Sequence, residues 1–255
     1  MTNTASTMPN NLRYDYVGHS WLLEGADWIG RRPDGLELHY HDEVQVSVVW
    51  NGHRDFRVGR HPLRLAPGQM LLVPQRRAHR ALPSLRGELR STEFFLQPES
   101  LPAATRQMLV ASDYLVADEP TLLLAQPDDV GDMIAGWVRD GAPPPRWRGP
   151  RARTGIDSEL LDAATRYASI TEAARALSCS REGFIRAFAR HAGMTPHAYR
   201  INERLNRGRD LLRRRESISD TAYAAGFSDQ SHFGRLFLRY FGATPGQFRA
   251  AHAPT

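Results

Sequence analysis

One motif occurs twice in this chain, and the repeat restricts the C-terminal half to a helical fold. The segment 184–200, FIRAFARHAGMTPHAYR, aligns with the segment 233–249, FGRLFLRYFGATPGQFR, and Phe, Arg, Phe, Arg, Gly, Thr, Pro and Arg recur in register. In the second copy Phe233, Phe237 and Phe241 are four residues apart, which predicts one buried stripe on a helix. The chain therefore contains two copies of one supersecondary unit.

Each copy has the outline of a helix-turn-helix. In the second, a short alanine-rich helix at residues 219–225 leads to a turn at Gly226, and Ser228 and Asp229 are candidate N-caps of the repeated helix. The upstream segment SISDTA matches SITEAA in the first copy, but its spacing to the repeated helix is one residue longer. The second turn is therefore predicted to contain one extra residue. Because the second helix of such a unit enters the major groove, the repeat predicts binding to double-stranded DNA.

Each repeated helix is predicted to end at a glycine that is followed by a Thr-Pro pair. The glycine can adopt the left-handed conformation that ends a helix, and Thr-Pro then supplies the N-cap and first residue of the next one. After the first copy, this next helix covers residues 196–215 and joins the two units. At about 1.5 Å per residue it spans roughly 30 Å, close to the ~34 Å of one DNA turn. The residues are Gly193, Thr195 and Pro196 in the first copy, and Gly242, Thr244 and Pro245 in the second.

The segments GFSDQSHFGRLFLRYFGATPGQFR, SREGFIRAFARHAGMTPHAYR and NERLNRGRDLL together resemble the DNA-binding region of the AraC family of bacterial transcriptional regulators. The resemblance covers about residues 153–250 and implies a double helix-turn-helix DNA-binding domain at residues 153–252. Its partner would be promoter DNA. Matching the family's pattern places the base-reading residues at Arg181, Glu182, Ile185 and Arg186 on the first recognition helix, and at Gln230, Ser231, Gly234 and Arg235 on the second.

The chemistry of these side chains suits base recognition to different degrees. Arginine can bond both O6 and N7 of guanine, glutamine can bond adenine in the same way, and glutamate can accept from cytosine. Ile185 and Gly234 have no hydrogen-bonding side chain, so the sequence read by each helix is predicted to depend mainly on Arg186 and Arg235. Each residue could instead belong to an ordinary solvated helix face. On the connecting helix, the predicted phosphate contacts are Arg207, Arg213 and Arg214.

The charge of the chain is unevenly distributed. All 33 basic residues of this 255-residue chain are arginine. Residues 1–150 carry 16 arginines and 18 acidic residues, whereas residues 151–255 carry 17 arginines and 10 acidic residues. An arginine excess alone is also typical of a solvated surface. Here the basic half is the half that contains the repeat, which favours nucleic-acid binding.

The N-terminus and the single cysteine predict a cytoplasmic protein. Residues 1–11 are polar and uncharged, so we expect a disordered tail without a signal-peptide core. A lone Cys179 permits no internal disulfide, and because it corresponds to Phe227 in the second copy we expect a small buried residue. No stretch is apolar for long enough to cross a membrane.

Residues 12–97 have the pattern of short strands separated by turns. Residues 44–48, VQVSV, alternate valine with polar side chains, which predicts a half-buried strand. Asn51-Gly52 predicts a hairpin turn into the next strand, and residues 70–73 form an apolar strand. Short strands at this spacing predict a β-sandwich or barrel.

The segment that follows is predicted to be mainly helical. Within residues 98–140, the best helix candidates are 103–115 and 128–138, with an apolar interlude at 122–124. Residues 141–152, which include GAPPPRWRGP, are predicted to be a linker. The expected fold class is therefore a two-domain α+β chain. A β-barrel with flanking helices is followed by an all-α domain of two helix-turn-helix units joined by a long helix.

The barrel region resembles the two sequence motifs of the cupin barrel, as the sensory domain of AraC-family regulators does. The first runs Gly-x3-His-x-His from Gly35, and the second runs Gly-x5-Pro-x4-His from Gly68. On a strand, His39 and His41 point to the same side, and His79 could join them from a neighbouring strand. The resemblance implies a cavity that binds a small-molecule effector, for which His39, His41, His79 and Trp50 are the candidate residues.

Three interpretations of these histidines remain open. They could be hydrogen-bonded residues of the barrel mouth, direct contacts to an effector, or ligands of a metal ion. Metal-binding cupins add a glutamate, but its place falls near Gln45 or Val46, and Glu43 comes too early. The second motif also has Arg76 where glycine is usual. No metal or other cofactor is therefore predicted.

These observations predict a sequence-specific transcriptional regulator that is controlled by a small effector and is not an enzyme. The family resemblance further implies activation through contact with RNA polymerase, and a homodimer formed through the helices of residues 98–140. One alternative is a metal-dependent cupin enzyme fused to a DNA-binding domain. Another is an architectural DNA-binding protein that senses nothing.

Overall fold

The computed structural model describes residues 12–13, 22–32, 35–125, 127–139, 146–151 and 158–252. A β-rich N-terminal half is followed by a helical C-terminal half, which confirms the predicted α+β organisation. The predicted tail, residues 1–11, and residues 141–145 and 152 of the predicted linker lie outside the described residues. The strands are β1 Leu12–Arg13, β2 Leu22–Arg32, β3 Val44–Asn51, β4 Arg54–Val58, β5 His61–Leu65, β6 Gln69–Val73, β7 His79–Ala81, β8 Ser84–Leu96 and β9 Leu115–Asp118.

The strands form two antiparallel sheets. The larger has the order β1-β2-β8-β3-β6-β9, and the smaller has the order β5-β4-β7. An apolar cluster that includes Trp28, Val49, Phe56 and Leu71 draws on strands of both sheets. The hairpin predicted at Asn51-Gly52 is wrong: β3 pairs with β6 and β8, whereas β4 pairs with β5 and β7. The turn carries the chain from one sheet to the other.

Strand β3 is buried on both faces, although its alternation predicted a half-buried strand. Val44, Val46 and Val48 pack in a cluster with apolar residues of the helices that follow the barrel. The intervening Gln45 and Ser47 are equally buried and hydrogen-bond to each other at 2.9 Å. The polar residues therefore face the inside of the barrel rather than solvent. This face positions the candidate site.

The segment predicted as helical contains a strand. It begins with α1 (Ala103–Val110), passes through β9 and a 3-10 helix at Pro120–Leu123, and ends with α2 (Pro127–Arg139). Because β9 pairs with β6, the barrel sheet extends beyond residue 97, and the helix predicted over 103–115 stops at Val110. Part of the predicted linker is also paired, since Arg148 forms an isolated β-bridge with Val116.

The C-terminal half confirms the predicted duplication in detail. Between the two helices of each unit, the first turn covers residues 177–180 and the second covers 225–229, so the second is one residue longer, as predicted. Both repeated helices end at a left-handed glycine, Gly193 with φ 73° and Gly242 with φ 82°. The helices are α3 Ser158–Arg166, α4 Ile170–Ala176, α5 Arg181–Ala192, α6 Pro196–Arg213, α7 Ile218–Ala224, α8 Gln230–Phe241 and α9 Pro245–Ala251.

Side-chain caps start these helices. Ser180 accepts from the N–H of Gly183 at the start of α5, and Asp229 accepts from the N–H of His232 at the start of α8. Thr195 and Thr244 cap α6 and α9 in the same way, each followed by proline. These contacts satisfy amide groups that have no partner within the helix.

Each helix-turn-helix unit has its own phenylalanine core. Phe184 and Phe188 are buried in the first unit, and Phe233 and Phe237 are buried in the second. Cys179 was expected to be buried like Phe227, but it is exposed in the turn, where its thiol donates to the carbonyl of Ala174 at 3.5 Å. Among the described residues, no helix combines the length and apolarity needed to span a bilayer.

Candidate nucleic-acid interface and ligand cavity

The predicted base-reading residues lie on the first two turns of α5 and α8. N-terminal residues of a recognition helix are the ones that reach base edges. The repeated apolar positions of each helix turn toward the phenylalanine cores, which leaves the intervening positions outward. Arg181, Glu182, Arg186, Gln230, Ser231 and Arg235 are exposed, whereas Ile185 and Gly234 are half-buried.

The opposite ends of the same helices contact the barrel. At the end of α8, the backbone N–H of Glu37 donates to the carbonyl of Arg239 at 3.1 Å, and the two side chains form an ion pair. At the end of α5, a Cβ on Gly193 would lie 3.2 Å from Ala78. The barrel therefore packs against the C-terminal ends of the recognition helices and leaves their N-terminal halves accessible.

The three connector arginines have different environments. Arg207 on α6 and Arg214, the C-cap residue just after it, are exposed and remain candidates for phosphate contact. Arg213 was predicted to meet phosphate, but it pairs with Glu24 at 2.9 Å and with Glu43 at 2.5 Å, both on the barrel. In this arrangement the Arg213 guanidinium is committed to the barrel, so it is not available to DNA.

Arg209, one turn before Arg213, enters the barrel completely. Its side chain is 2% exposed and contacts Glu24 Oε1 at 2.5 Å, Glu43 Oε2 at 3.1 Å and His41 Nδ1 at 2.8 Å. Burial alone would raise the pKa of Glu43, but the charges of Arg209 and Arg213 outweigh burial and lower that pKa to about 2. Two arginines of the DNA-binding half and two glutamates of the barrel thus form one buried charge-balanced cluster.

The three histidines meet as predicted. His39 forms an isolated β-bridge with His79, and one ring nitrogen from each of the three residues lies within 4.8 Å of the others. All three are buried. Burial lowers the pKa of His79 to about 4, and burial together with Arg209 holds the pKa of His41 well below its usual range. His41 and His79 are therefore neutral at neutral pH.

The cavity beside the histidines is small. Its volume is about 40 Å³, room for an ion or a few water molecules, whereas pockets for drug-sized ligands measure about 300–1,000 Å³. Arg209 and Phe241 form part of its wall, so the C-terminal half closes it. Trp28 lines the cavity, but the structure does not bring Trp50 there. Trp50 packs with the cluster on the opposite face of β3 and donates to Thr92 at 2.8 Å.

A second set of contacts fixes α6 against the strand that carries the histidines. The side chain of Asn202 accepts from the N–H of Tyr40 at 2.8 Å and donates to its carbonyl at 2.9 Å. The Tyr40 ring stacks on Tyr199, with centroids 4.9 Å apart, and its hydroxyl bonds to Glu203. The backbone between His39 and His41 is therefore held by the same helix that inserts Arg209.

Comparison with known proteins accounts for both halves. A family model described as AraC-like ligand binding domain matches residues 23–127, and a helix-turn-helix domain model matches residues 173–251. The chain belongs to the AraC family of transcriptional regulators. Membership confirms the predicted resemblance, the cupin-like fold of the N-terminal half, and the assignment to a regulator rather than an enzyme.

Individual AraC-type relatives match the DNA-binding half. The HTH-type transcriptional regulator MtrA of Neisseria gonorrhoeae is 34% identical over 82 residues, which are 32% of this chain and 27% of that protein. The HTH-type transcriptional activator RhaS of Enterobacter sp. (strain 638) is 43% identical over 65 residues, 25% of this chain and 23% of that protein. The chain spans about a quarter of the length of these curated relatives.

One solved structure extends the likeness to the whole AraC-type fold. Unsaturated fatty acid bound wild-type ToxT from Vibrio cholerae strain SCE256 aligns over 91% of this chain and 95% of that chain, with a TM-score of 0.55. The sequences are 11% identical, so this likeness shows the fold alone.

Sequence reasoning missed the residues that join the two halves. Glu24 lies within β2 and gave no distinct signal, and Glu43, just before β3, was considered only as a metal ligand that comes too early. Arg209 did carry one, because it lies four residues after Leu205 and three before Leu212 on the buried stripe of α6. An arginine at a stripe position of an AraC-type connector indicates a buried ion pair rather than a phosphate contact.

Proposed function

We propose that this AraC-type regulator is a cytoplasmic, sequence-specific transcriptional activator that a ligand of its N-terminal barrel controls. The exposure of the N-terminal halves of α5 and α8 is the observation that carries the proposal. These helices belong to two copies of one unit on a common connector, so both can present arginines to successive major grooves. At about 1.5 Å per residue the 18-residue α6 is roughly 27 Å long, comparable with one DNA turn.

Two features support activation by a dimer. RhaS, which is similar over the DNA-binding half, is described as a transcriptional activator. In the described part of the chain, seven large hydrophobic side chains are exposed, and four of them, Met108, Val110, Leu123 and Leu124, lie within residues 98–140. Such a concentration is typical of a protein interface. We assign this surface to a second copy of the chain, and we propose RNA polymerase as the further partner.

The contacts of α6 supply a route for ligand control. The helix that joins the two recognition units is the same helix that closes the barrel cavity with Arg209. A ligand larger than this cavity that occupies the space beside His41 must displace the Arg209 side chain. Occupancy of the barrel is therefore coupled to the position of the connector.

The first test concerns base recognition. The promoter for this test is identified by genome-wide mapping of the sites that the protein binds. We expect Arg235→Ala to weaken binding to that promoter by about 1–3 kcal/mol, while binding to random DNA changes much less, as for a guanine contact. Fluorescence anisotropy at fixed salt measures both affinities. The matched control is Arg166→Ala, which removes the same charge from an exposed position on α3. An equal loss on both DNAs would contradict base reading by α8.

A further inference from the structure

A second cavity lies where α5 packs against the outside of the barrel. Its volume is about 250 Å³, just below the ~300–1,000 Å³ of pockets for drug-sized ligands. The barrel supplies the turn after β4, the residues before β7 and the loop before β9, and α5 supplies its last turn. We call this cavity the α5 cleft. It shares no lining residue with the cavity beside the histidines, and its charged and polar residues are Arg60, Arg77, Asp113, Arg190 and His191.

The α5 cleft has an excess of positive charge. Its one carboxylate, Asp113, uses Oδ1 for Arg77 at 3.0 Å and Oδ2 for the ring of His61 at 3.1 Å. Both carboxylate oxygens are therefore engaged. Within the ranges that the structure describes, neither Arg60 nor Arg190 forms an ion pair with an acidic residue. Three guanidinium groups and one carboxylate leave two positive charges in the cleft.

These charges come from both halves of the chain. Arg60 and Arg77 belong to the barrel, whereas Arg190 belongs to α5, so docking brings like charges to one cleft at a cost in free energy. A cation near the C-terminal end of a helix is favourable, which accounts for Arg190 but not for the barrel arginines. An anion in the cleft would remove this repulsion and attract both halves.

The polar groups of the cleft are also incompletely satisfied. Among the residues described, the buried atoms Arg77 Nε and His191 Nδ1 have no hydrogen-bond partner. Buried polar atoms are normally paired, so the protein itself does not meet the hydrogen-bonding demand of these two side chains. Guanidinium groups bind phosphate and carboxylate oxygens with two parallel hydrogen bonds. A phosphate group with two negative charges therefore matches both the charge and the donors of the cleft.

We propose that the α5 cleft binds the phosphate group of a small molecule, and that binding strengthens the docking of the first helix-turn-helix unit on the barrel. The binding part does not depend on DNA. The regulatory part rests on the proposed function, because it adds a second ligand site to a ligand-controlled regulator. A DNA phosphate has the same chemistry, but Arg190 lies nine residues after Arg181, about 13 Å along α5 from the base-reading end.

Calorimetric titration of the full chain with inorganic phosphate, at about pH 8 and constant ionic strength, tests the binding part. We expect saturable binding of one phosphate per chain, and affinity that is lower by roughly tenfold or more in Arg60→Gln and in Arg190→Gln, because each variant loses a charged hydrogen-bond donor. Both side chains are exposed, so the variants should fold, which circular dichroism verifies.

Two matched controls remove an exposed arginine outside the cleft. Arg57→Gln on β4 and Arg175→Gln on α4 should bind phosphate like the wild type. Absence of saturable binding in the wild type overturns the proposal. Unchanged affinity in either cleft variant, or an equal loss in the two controls, also overturns it.

Amide exchange tests the effect on docking. The N–H of Tyr40 donates to Asn202 on α6, so its exchange requires the two halves to separate. A ligand that binds only the docked arrangement raises the docking constant by one plus the ratio of its concentration to its Kd. Phosphate at about ten times its Kd should therefore slow exchange at Tyr40 roughly tenfold, and the same concentration should slow it at most about twofold in Arg60→Gln. Unchanged or faster exchange in the wild type overturns the regulatory part.

Affinity for random-sequence DNA in phosphate-free buffer distinguishes a small molecule from the DNA backbone. We expect Arg60→Gln and Arg190→Gln to bind random DNA no more weakly than Arg175→Gln does. A selective loss of DNA affinity in the two cleft variants would assign the cleft to a DNA phosphate and overturn the proposal. The calorimetric and exchange measurements contain no DNA, so a failure of promoter binding cannot be mistaken for a failure of the phosphate site.

Discussion

Replacement of Arg209 by methionine should detach the DNA-binding half from the barrel without unfolding either. In the wild type the guanidinium contacts Glu24, Glu43 and His41, all at most 5% exposed. Removing one partner of a buried ion pair costs about 3–5 kcal/mol, because a charge is left uncompensated. Arg213 still pairs with both glutamates in this variant, so we expect a cost at the lower end of this range. A loss of about 3 kcal/mol lowers the docking equilibrium constant roughly 100-fold.

Two backbone amides report docking directly. The N–H of Tyr40 donates to Asn202 on α6, and the N–H of Glu37 donates to the carbonyl of Arg239 on α8. Both amides belong to the barrel and both acceptors belong to the DNA-binding half, so protection from exchange requires contact. Hydrogen exchange by mass spectrometry should show faster exchange, by up to roughly 100-fold, at these amides in Arg209→Met. Exchange in β3, inside the barrel sheet, should stay unchanged.

Arg207→Met is the matched control, because it removes an arginine from the exposed face of the same helix. A double variant, Arg209→Met/Glu43→Gln, leaves Arg213 paired with Glu24, so the remaining buried charges balance and much of the lost protection should return. Unchanged exchange at both reporter amides in Arg209→Met would refute the assignment of Arg209 as the main docking contact. Faster exchange in β3 as well would show that the barrel had unfolded instead.

Three further predictions concern packing, capping and assembly. Gly208→Ala should lower the free energy of unfolding in urea by about 1 kcal/mol, since overpacking against Phe233, 2.8 Å from the new Cβ, outweighs the gain in helix propensity. Gly131→Ala, whose new Cβ would have no atom within 4 Å, should raise the free energy of unfolding by up to about 1 kcal/mol. A lower free energy of unfolding in Gly131→Ala would contradict this packing argument. Ser180→Ala should destabilise α5 by about 1 kcal/mol through loss of its N-cap, seen as faster amide exchange in that helix alone. Val110→Asp, at a side chain that is 82% exposed, should convert the proposed dimer to monomer in sedimentation velocity, and a monomeric wild type would contradict the assigned interface.

The helix-turn-helix half could be predicted because its signals are local. The phenylalanine spacing, the cap at Asp229 and the glycine stops act within one or two helical turns, and the extra turn residue follows from a one-residue offset. Because the same pattern occurs twice, the helix-turn-helix assignment did not depend on a single short motif. The helix type was therefore correct, whereas α6 ends at Arg213, two residues before its predicted end, and α7 covers Ile218–Ala224 rather than 219–225.

The barrel was harder to predict from the sequence. Polar residues that face its interior alternate with apolar residues in the same way as polar residues that face solvent. Gln45 and Ser47 satisfy each other inside the barrel, a distinction that depends on strands distant in sequence. The same parity places Trp50 on the helix-covered face with Val46 and Val48, away from the histidines. The histidine cluster itself was predicted, since the two cupin-like motifs bring His39 and His79 together, where they form an isolated β-bridge. The partner of the cluster was not, because Arg209 is 168 residues away from His41.

The connecting helix α6 packs against the barrel with one face and exposes the other face to solvent. One face of α6 carries Asn202, Arg209 and Arg213 into the barrel, while Arg207 and Arg214 are directed toward solvent. A substitution on the barrel-facing side of this helix can therefore affect sensing and DNA binding together. A selection for strains in which the regulator works without its signal should recover substitutions along the barrel-facing edge, at positions remote from any base contact.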